Sequence, residues 1–221
     1  MDKCNIRKNI SRCRRVEAKM IQLLKYGNTN CYYIKGNNGS ILIDTDWAGT
    51  LPLFYKKIKE LNIKNIDYLL ITHYHPDHMG IAQEIIENMD VKLLVIDVQK
   101  DYIHCSDKIF EKDNNMSFKP INTEPVIISC EESRNFLKQL GIYGEIIHTP
   151  GHSDDSISIV LDEGIAFVGD LYDLNSISAF NDEKINNSWK NILNHNISKV
   201  CYGHHEQIIN NLKSEENIET N

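Results

Sequence analysis

Within six consecutive residues, His73-Tyr74-His75-Pro76-Asp77-His78, the chain carries three imidazoles and a carboxylate, directly behind the apolar run Tyr68-Leu69-Leu70-Ile71-Thr72. Imidazole nitrogen and carboxylate oxygen suit zinc, and positions left open to water separate a catalytic metal site from a structural one. Alternation in an extended loop aims His73 and His75 the same way, as two ligands of one ion, with Asp77 and His78 facing a neighbouring position. A lone histidine in a polar loop is usually satisfied by nearby backbone. Four ligand-type side chains in six positions reverse that weighting.

More such groups follow, each at the end of an apolar segment. Glu145-Ile146-Ile147-His148-Thr149 runs into Pro150-Gly151-His152, Ile165-Ala166-Phe167-Val168-Gly169 into Asp170, and Val200-Cys201-Tyr202-Gly203 into His204. If each segment is a buried strand, all seven groups collect along one sheet edge.

The elements needed to position them are readable around these segments. Strands are expected at Met20–Tyr26, Cys31–Lys35 and Ser40–Asp44, with Gly36-Asn37-Asn38-Gly39 as a hairpin turn. Thr50 is placed to cap a helix whose apolar stripe is Leu51, Phe54, Ile58 and Leu61. A helix over Gly80–Asn88 puts Asp77 near its positive end, which favours the anion. Val91–Ile96 reads as a strand, and Ser156–Leu161 as a half-buried alternating one. Helices are expected at Glu132–Leu140 and Asp182–His195, the second with Ile185, Trp189, Ile192 and Leu193 on one face, so Trp189 is core. Residues 101–124 have no clean period; with Tyr102, His104, Phe110, Met116 and Phe118 they read as a substrate-facing insertion.

With 221 residues and no internal repeat, linker or low-complexity tract, the chain reads as one domain over residues 19–212. A basic arm over 1–18, with Lys3, Arg7, Lys8, Arg12, Arg14 and Arg15, precedes it, and a polar tail over 213–221 follows. The net charge of -7 without a basic stripe argues against nucleic-acid partners, whose phosphates need clustered Lys and Arg. No apolar stretch approaches a membrane span, and no secretion signal is read at the polar start. The six cysteines, Cys4, Cys13, Cys31, Cys105, Cys130 and Cys201, form no Cys-x-x-Cys pair, which fits reduced thiols in a cytoplasm. Heavy use of Asn, Ile and Lys points to an AT-rich bacterial genome. Oligomeric state is left open.

On these residues the chain resembles the metallo-β-lactamase superfamily, over roughly residues 20 to 210. The resemblance implies an α/β (α+β) fold, a four-layer αββα sandwich. It implies that His73, His75 and His152 hold a first metal, that Asp77, His78 and His204 hold a second, and that Asp170 bridges both. Asp44, in Leu42-Ile43-Asp44-Thr45-Asp46, matches the family's aspartate behind the site, where it would orient a ligand or loop. The implied cofactor is a pair of Zn2+ ions, with iron or manganese as alternatives, sharing a hydroxide that attacks the substrate while the metals polarise its oxygen and steady the charge that develops. Asp77 is the natural proton shuttle. Ser153 is a turn residue rather than a nucleophile. Tyr172, two residues past Asp170, is expected to line the cleft; Tyr74, between two ligands, either lines it or faces away into packing, and His205 is either a substrate contact or a bystander.

The implied activity is hydrolysis of an ester, thioester, lactone or related bond in a small metabolite. A bridging carboxylate resembles the glyoxalase II, lactonase and phosphodiesterase branches, whereas the family's zinc β-lactamases carry cysteine or a non-ligand at that position. The glyoxalase-type carboxy-terminal substrate domain is expected to be missing, and the acidic balance speaks against nuclease branches. Two positions depart from the family pattern, which has glycine at Asp46 and at His205. Aspartate tolerates left-handed backbone, so the loop at Asp46 is expected to survive. Two other classes stay open: a mononuclear iron sulfur dioxygenase of the same fold, and a non-catalytic metal-dependent binding protein. The family's diiron flavoproteins fit less well, since they usually put glutamate at the second histidine position and append a flavodoxin domain.

Overall fold

Two sheets stand face to face in the computed structural model, which describes residues 20–113, 117–176 and 182–205. The expected arm at 1–18, the tail at 213–221 and Met116 lie outside the described residues. The first sheet has the order β1-β2-β3-β4-β5-β6, from Met20–Lys25, Asn30–Lys35, Ser40–Ile43, Tyr68–Leu70, Lys92–Ile96 and Val126–Ile128. Its first three strands form an antiparallel meander, and β3 to β6 are parallel. The second sheet has the order β10-β9-β8-β7, from Lys199–Tyr202, Ile165–Gly169, Ile157–Leu161 and Gly144–His148. There β8 runs against both neighbours while β10 lies parallel to β9, so β7, β9 and β10 share one direction.

Period-two alternation sorts the strand residues into layers. Ile41, Ile43, Leu70, Leu94 and Ile96 of the first sheet meet Ile146, Ile157, Ile159, Leu161 and Phe167 of the second between the sheets. Their neighbours Leu42, Leu69, Leu93 and Val95 point outward, onto Phe54 and Ile58 of helix α1 (Leu51–Glu60) and Ile85 of α3 (Ala82–Met89). On the far side Val160, Ala166, Val168 and Val200 are covered by Ile185, Trp189 and Ile192 of α6 (Glu183–Leu193), so Trp189 is core as expected. This is the αββα order. Helix α5 (Cys130–Gln139), started by a Ser129–Glu132 capping box, adds Leu137 to the layer between the sheets.

Several local expectations are corrected. β8 is buried at all five residues rather than half-buried, because a sheet lies on one face and α6 on the other. Thr50 does not cap α1 with its side chain; its hydroxyl donates back to the carbonyl of Trp47 at 2.7 Å. The helix expected over Gly80–Asn88 is α3, two residues later at its start, and a separate single turn, α2 (Pro76–Met79), precedes it, so Asp77 lies in the first turn of α2 as well as ahead of α3. Residues 101–124 are not irregular throughout: a 3-10 turn at Asp97–Tyr102 leads to α4 (Asp107–Lys112). Phe110 is a core residue there, stacked on Phe118 at 3.9 Å and set against Trp47 at 5.2 Å, so it is not substrate-facing.

No helix among the described residues is long and apolar enough to cross a membrane. None of Cys31, Cys105, Cys130 and Cys201 is in a disulfide.

Candidate metal centre

Every residue singled out as a ligand follows the carboxyl end of a strand, and the shared strand directions bring those ends to one edge. His73 to His78 leave β4 of the first sheet, while His152, Asp170 and His204 follow β7, β9 and β10 of the second. The centre therefore sits across the seam between the sheets. Two polar clefts of about 480 and 350 Å³ lie at the opposite edge, around the Gly36–Gly39 turn and Asp67.

The side chains fall into two groups, each with its ligand atoms within 4.8 Å of one another: His73, His75 and His152, then Asp77, His78, Asp170 and His204. In the first, Nδ1 of His75 stands 3.1 Å from Nε2 of His73 and 3.1 Å from Nε2 of His152. A tetrahedral ion held at about 2.0–2.1 Å would space its nitrogens about 3.3–3.4 Å apart, so this triad fits such an ion closely. In the second, Nε2 of His204 lies 3.0 Å from Oδ2 of Asp77 and 3.3 Å from Oδ2 of Asp170. His78 Nε2 and Asp170 Oδ1 face each other at 3.3 Å, both buried and neither with a well-formed hydrogen bond among the described residues. Buried polar atoms left in that condition are costly unless a cation takes them. Asp170 also reaches the first group, with Oδ2 3.7 Å from His152 Nε2 and 4.0 Å from His73 Nε2.

Two glycines make room for this convergence. A Cβ at Gly203 would come within 2.5 Å of Asp170 Oδ1 and 2.8 Å of His78 Cε1. Gly169 adopts φ +56, and a Cβ there would lie 2.5 Å from the Thr72 hydroxyl oxygen.

Asp44 lies directly behind the centre. Its Oδ2 is 2.9 Å from His78 Nδ1 and accepts the Thr72 hydroxyl at 2.8 Å, while Oδ1 accepts the Thr72 N–H at 2.6 Å. The carboxylate thus fixes the His78 ring with Nδ1–H toward itself and Nε2 toward Asp170. The left-handed angle expected at Asp46 belongs instead to Asp44, with φ 60. The Asp46 carboxylate accepts the N–H groups of Thr29 at 3.0 Å and Trp47 at 2.7 Å.

Charge divides the two groups. Burial, with the charge of neighbouring His78, holds His73 well below its ordinary range, and burial also lowers His152. Burial opposes charge on His78 too, but the Asp44 and Asp170 carboxylates outweigh it and raise its pKa to about 10. Hydrogen bonds to Asp170 and Asp77 raise His204 to about 10. Against their own burial, Asp77 and Asp170 are held low by these same imidazoles.

Of the two readings of Tyr74, the structure shows packing and not the cleft. Its side chain is fully buried in the layer under α1 and α3, pointing away from the imidazoles, and its phenol oxygen meets no hydrogen-bond partner among the described residues. The alternation that pairs His73 with His75 turns Tyr74 the other way. Tyr172 is exposed, its ring centroid 5.9 Å from that of His152 in an edge-on arrangement. His205 is exposed, with its ring 5.8 Å from that of Tyr202 and its carbonyl accepting from Asn30 Nδ2 at 2.6 Å. Ser153 donates its hydroxyl to Asp155, consistent with a turn role.

Sequence reasoning missed the supports of the loops. Gln99 is fully buried and donates from Nε2 to the carbonyls of Ile71, Thr72 and Asp155 at 2.9, 3.3 and 3.2 Å. Asp155 accepts the Tyr74 N–H at 2.7 Å, tying the His73–His78 loop to the His152 loop. A single amide or carboxylate in a loop has no periodicity to mark it, and only the partners identify it.

Comparison with known proteins agrees with this architecture. The profile of the Metallo-beta-lactamase superfamily matches residues 24–204. A probable metallo-hydrolase of Methanocaldococcus jannaschii is 30% identical over 147 residues, 66% of this chain and 69% of that protein. A hydroxyacylglutathione hydrolase, GloC, of Haemophilus influenzae is 27% identical over 143 residues, covering 64% and 66%. An atrochrysone carboxyl ACP thioesterase of Claviceps purpurea is 26% identical over 66% of this chain, which spans only 40% of that longer protein. Two other relatives are matched over 46% and 55% of their lengths. Among solved structures, a metallo-beta-lactamase family protein of Thermus thermophilus superposes with a TM-score of 0.65 at 19% identity, over 86% of this chain and 74% of that one. TTHA1623 in a di-iron-bound form gives 0.66 at 20% identity, over 86% and 94%.

Proposed function

This chain belongs to the metallo-beta-lactamase superfamily, and from that premise we propose that it is a dinuclear metal-dependent hydrolase, zinc-loaded, acting on an ester, thioester, lactone or related bond of a small metabolite. The observation that carries the reading is Asp170: one carboxylate lies between a triad of imidazoles and a second group of mixed donors, within 4.0 Å of His73 and 3.3 Å of both His78 and His204. His73, His75 and His152 would hold one ion, Asp77, His78 and His204 the other, and Asp170 both. Bound divalent ions supply Lewis acidity toward the scissile carbonyl and bring the pKa of water toward neutrality.

The protein's own groups supply the rest. Asp77 is half-buried and anionic, its Oδ2 held 3.0 Å from His204; it takes the proton of the attacking water and returns it to the leaving group. Asp44 keeps His78 in one tautomer and one orientation. Tyr172, beside His152, lines the substrate side of the centre. The names of two relatives, a hydroxyacylglutathione hydrolase and a thioesterase, put thioesters first among the bonds to try. A small molecule, rather than nucleic acid or membrane, is the partner in this reading, and a reducing cytoplasm its compartment.

The test is elemental analysis of the purified protein alongside a panel of esters, thioesters and lactones. About two ions per chain, and turnover that is lost to a chelator and restored by Zn2+, are expected. One tightly held iron with dioxygen uptake would make the protein a dioxygenase instead, and tight ligand binding without turnover across the panel would make it a binding protein.

A further inference from the structure

We propose that the β1–β2 connection, through Asn28 and Thr29 of the turn and Asn30 at the start of β2, is a clasp that positions the ligands of the second metal and not those of the first. The proposal rests on the dinuclear reading above. Hairpin turns on a sheet edge ordinarily face solvent, but this one is drawn in: Thr29 and Asn30 are both buried. The Thr29 hydroxyl donates to the backbone carbonyl of Asp77 itself at 2.7 Å. The Asn30 N–H donates to the carbonyl of Gly203 at 2.6 Å, and its side-chain Nδ2 donates to Tyr202 O at 3.1 Å and His205 O at 2.6 Å. Asn30 therefore grips the backbone on both sides of His204. The Asn28 carbonyl, which accepts from Lys25 Nζ, lies 3.4 Å from His204 Nδ1, so it orients that ring with Nε2 toward Asp77 and Asp170.

The clasp is itself anchored by the residue that departs from the family's glycine. Asp46 Oδ2 accepts the Thr29 N–H at 3.0 Å, and a Cβ at Gly27 would collide with that carboxylate at 2.1 Å. Glycine at position 46 would leave the Thr29 N–H, buried with its residue, without this acceptor. The aspartate and the turn thus work as one unit.

The first group has a different set of supports. Thr72 Oγ1 stands 3.2 Å from His73 Nδ1, and Gln99 with Asp155 holds the backbone at Ile71, Thr72 and Tyr74. None of the described hydrogen bonds of Asn28, Thr29 or Asn30 reaches His73, His75 or His152. The hairpin turn therefore braces the second group alone, while Thr72, Gln99 and Asp155 brace the backbone of the first, and Asp44 links the two through Thr72 and His78.

The test is a Zn2+ titration of metal-free full-length protein, with Co2+ absorption as a parallel readout, for wild type, Thr29→Val and Asn30→Ala. Wild type is expected to bind two ions in sequence. In each variant the second dissociation constant rises by about tenfold or more while the first stays within about threefold, as expected when a support of a ligand is removed. Should Asn30→Ala fail to fold, Thr29→Val carries the test, since it keeps the β-branched shape and removes one hydroxyl. Variants that bind both ions as wild type does, or that lose both equally along with thermal stability, overturn the clasp. A wild-type protein that takes up a single ion overturns the dinuclear reading itself, and the clasp with it.

Discussion

Asp44 concentrates three hydrogen bonds on one buried carboxylate in a left-handed backbone conformation, so its replacement is informative in two ways. Asp44→Ala would leave the Thr72 N–H and His78 Nδ1 buried without acceptors. A loss of about 2–4 kcal/mol in unfolding free energy is expected from denaturant titration of the metal-free protein. Asp44→Asn keeps an acceptor for Thr72 but presents an amide where His78 needs a carboxylate, so it should fold while binding metal more weakly. Asp77→Asn is expected to lower turnover of a responsive ester or thioester by about 100-fold or more with little change in melting temperature; unchanged turnover would remove Asp77 from the proton path. Proton bookkeeping separates the two ions further. His73 and His152 are held low and are already neutral near pH 7, whereas His78 and His204, raised to about 10, carry protons that a metal must displace. Binding of the second ion should therefore release about two protons and tighten as pH climbs from 7 toward 10, while the first responds far less. Calorimetry in two buffers of different ionisation enthalpy measures this, and equal release at both steps would contradict it.

At the scale of elements, the strand ends carry the chemistry and the glycines permit it. Gly203→Ala would push a methyl group against Asp170 and His78, so the variant should keep its circular dichroism spectrum yet hold fewer than two ions by elemental analysis. The strands that bear ligands were legible because each is an apolar run closed by a ligand-type side chain, and β4, β7, β9 and β10 all lie where those runs lie. Less legible were elements whose form depends on what covers them. β8 reads as alternating because Ser158 interrupts an apolar run, yet α6 buries the outer face, and Ser158 pairs with Thr149 at 2.8 Å. Pro76, with its fixed φ, starts a separate single turn, α2, that no apolar period marks. The 101–124 stretch lacks a clean period because α4 is only six residues long and is held by the Phe110–Phe118 stack and the tilted Trp47 ring beside it rather than by a long stripe.

At the scale of the whole molecule, the centre spans both sheets. The His73–His78 loop and Asp44 belong to the first, and His152, Asp170 and His204 to the second. Bound ions would therefore crosslink the two halves of the sandwich. Ions present at about 1,000 times their dissociation constant stabilise a fold by about 4 kcal/mol, which for a domain of this size is a rise of about 8–16 °C in melting temperature. Scanning calorimetry with and without chelator should show that gap, and coincident transitions would mean that metal affinity is far weaker than the donor set implies.

The order of the ligands along the polypeptide has a bearing on biosynthesis. A nascent chain leaving the ribosome exposes His73, His75 and His152 well before β10 delivers His204. The His73–His78 loop emerges with donors of both groups together, His73 and His75 for one and Asp77 and His78 for the other, and the second group could close only once Asp170 and that strand had slotted in. Completion of the centre thus waits on the carboxyl-terminal strand, the last to be synthesised of those that carry a donor.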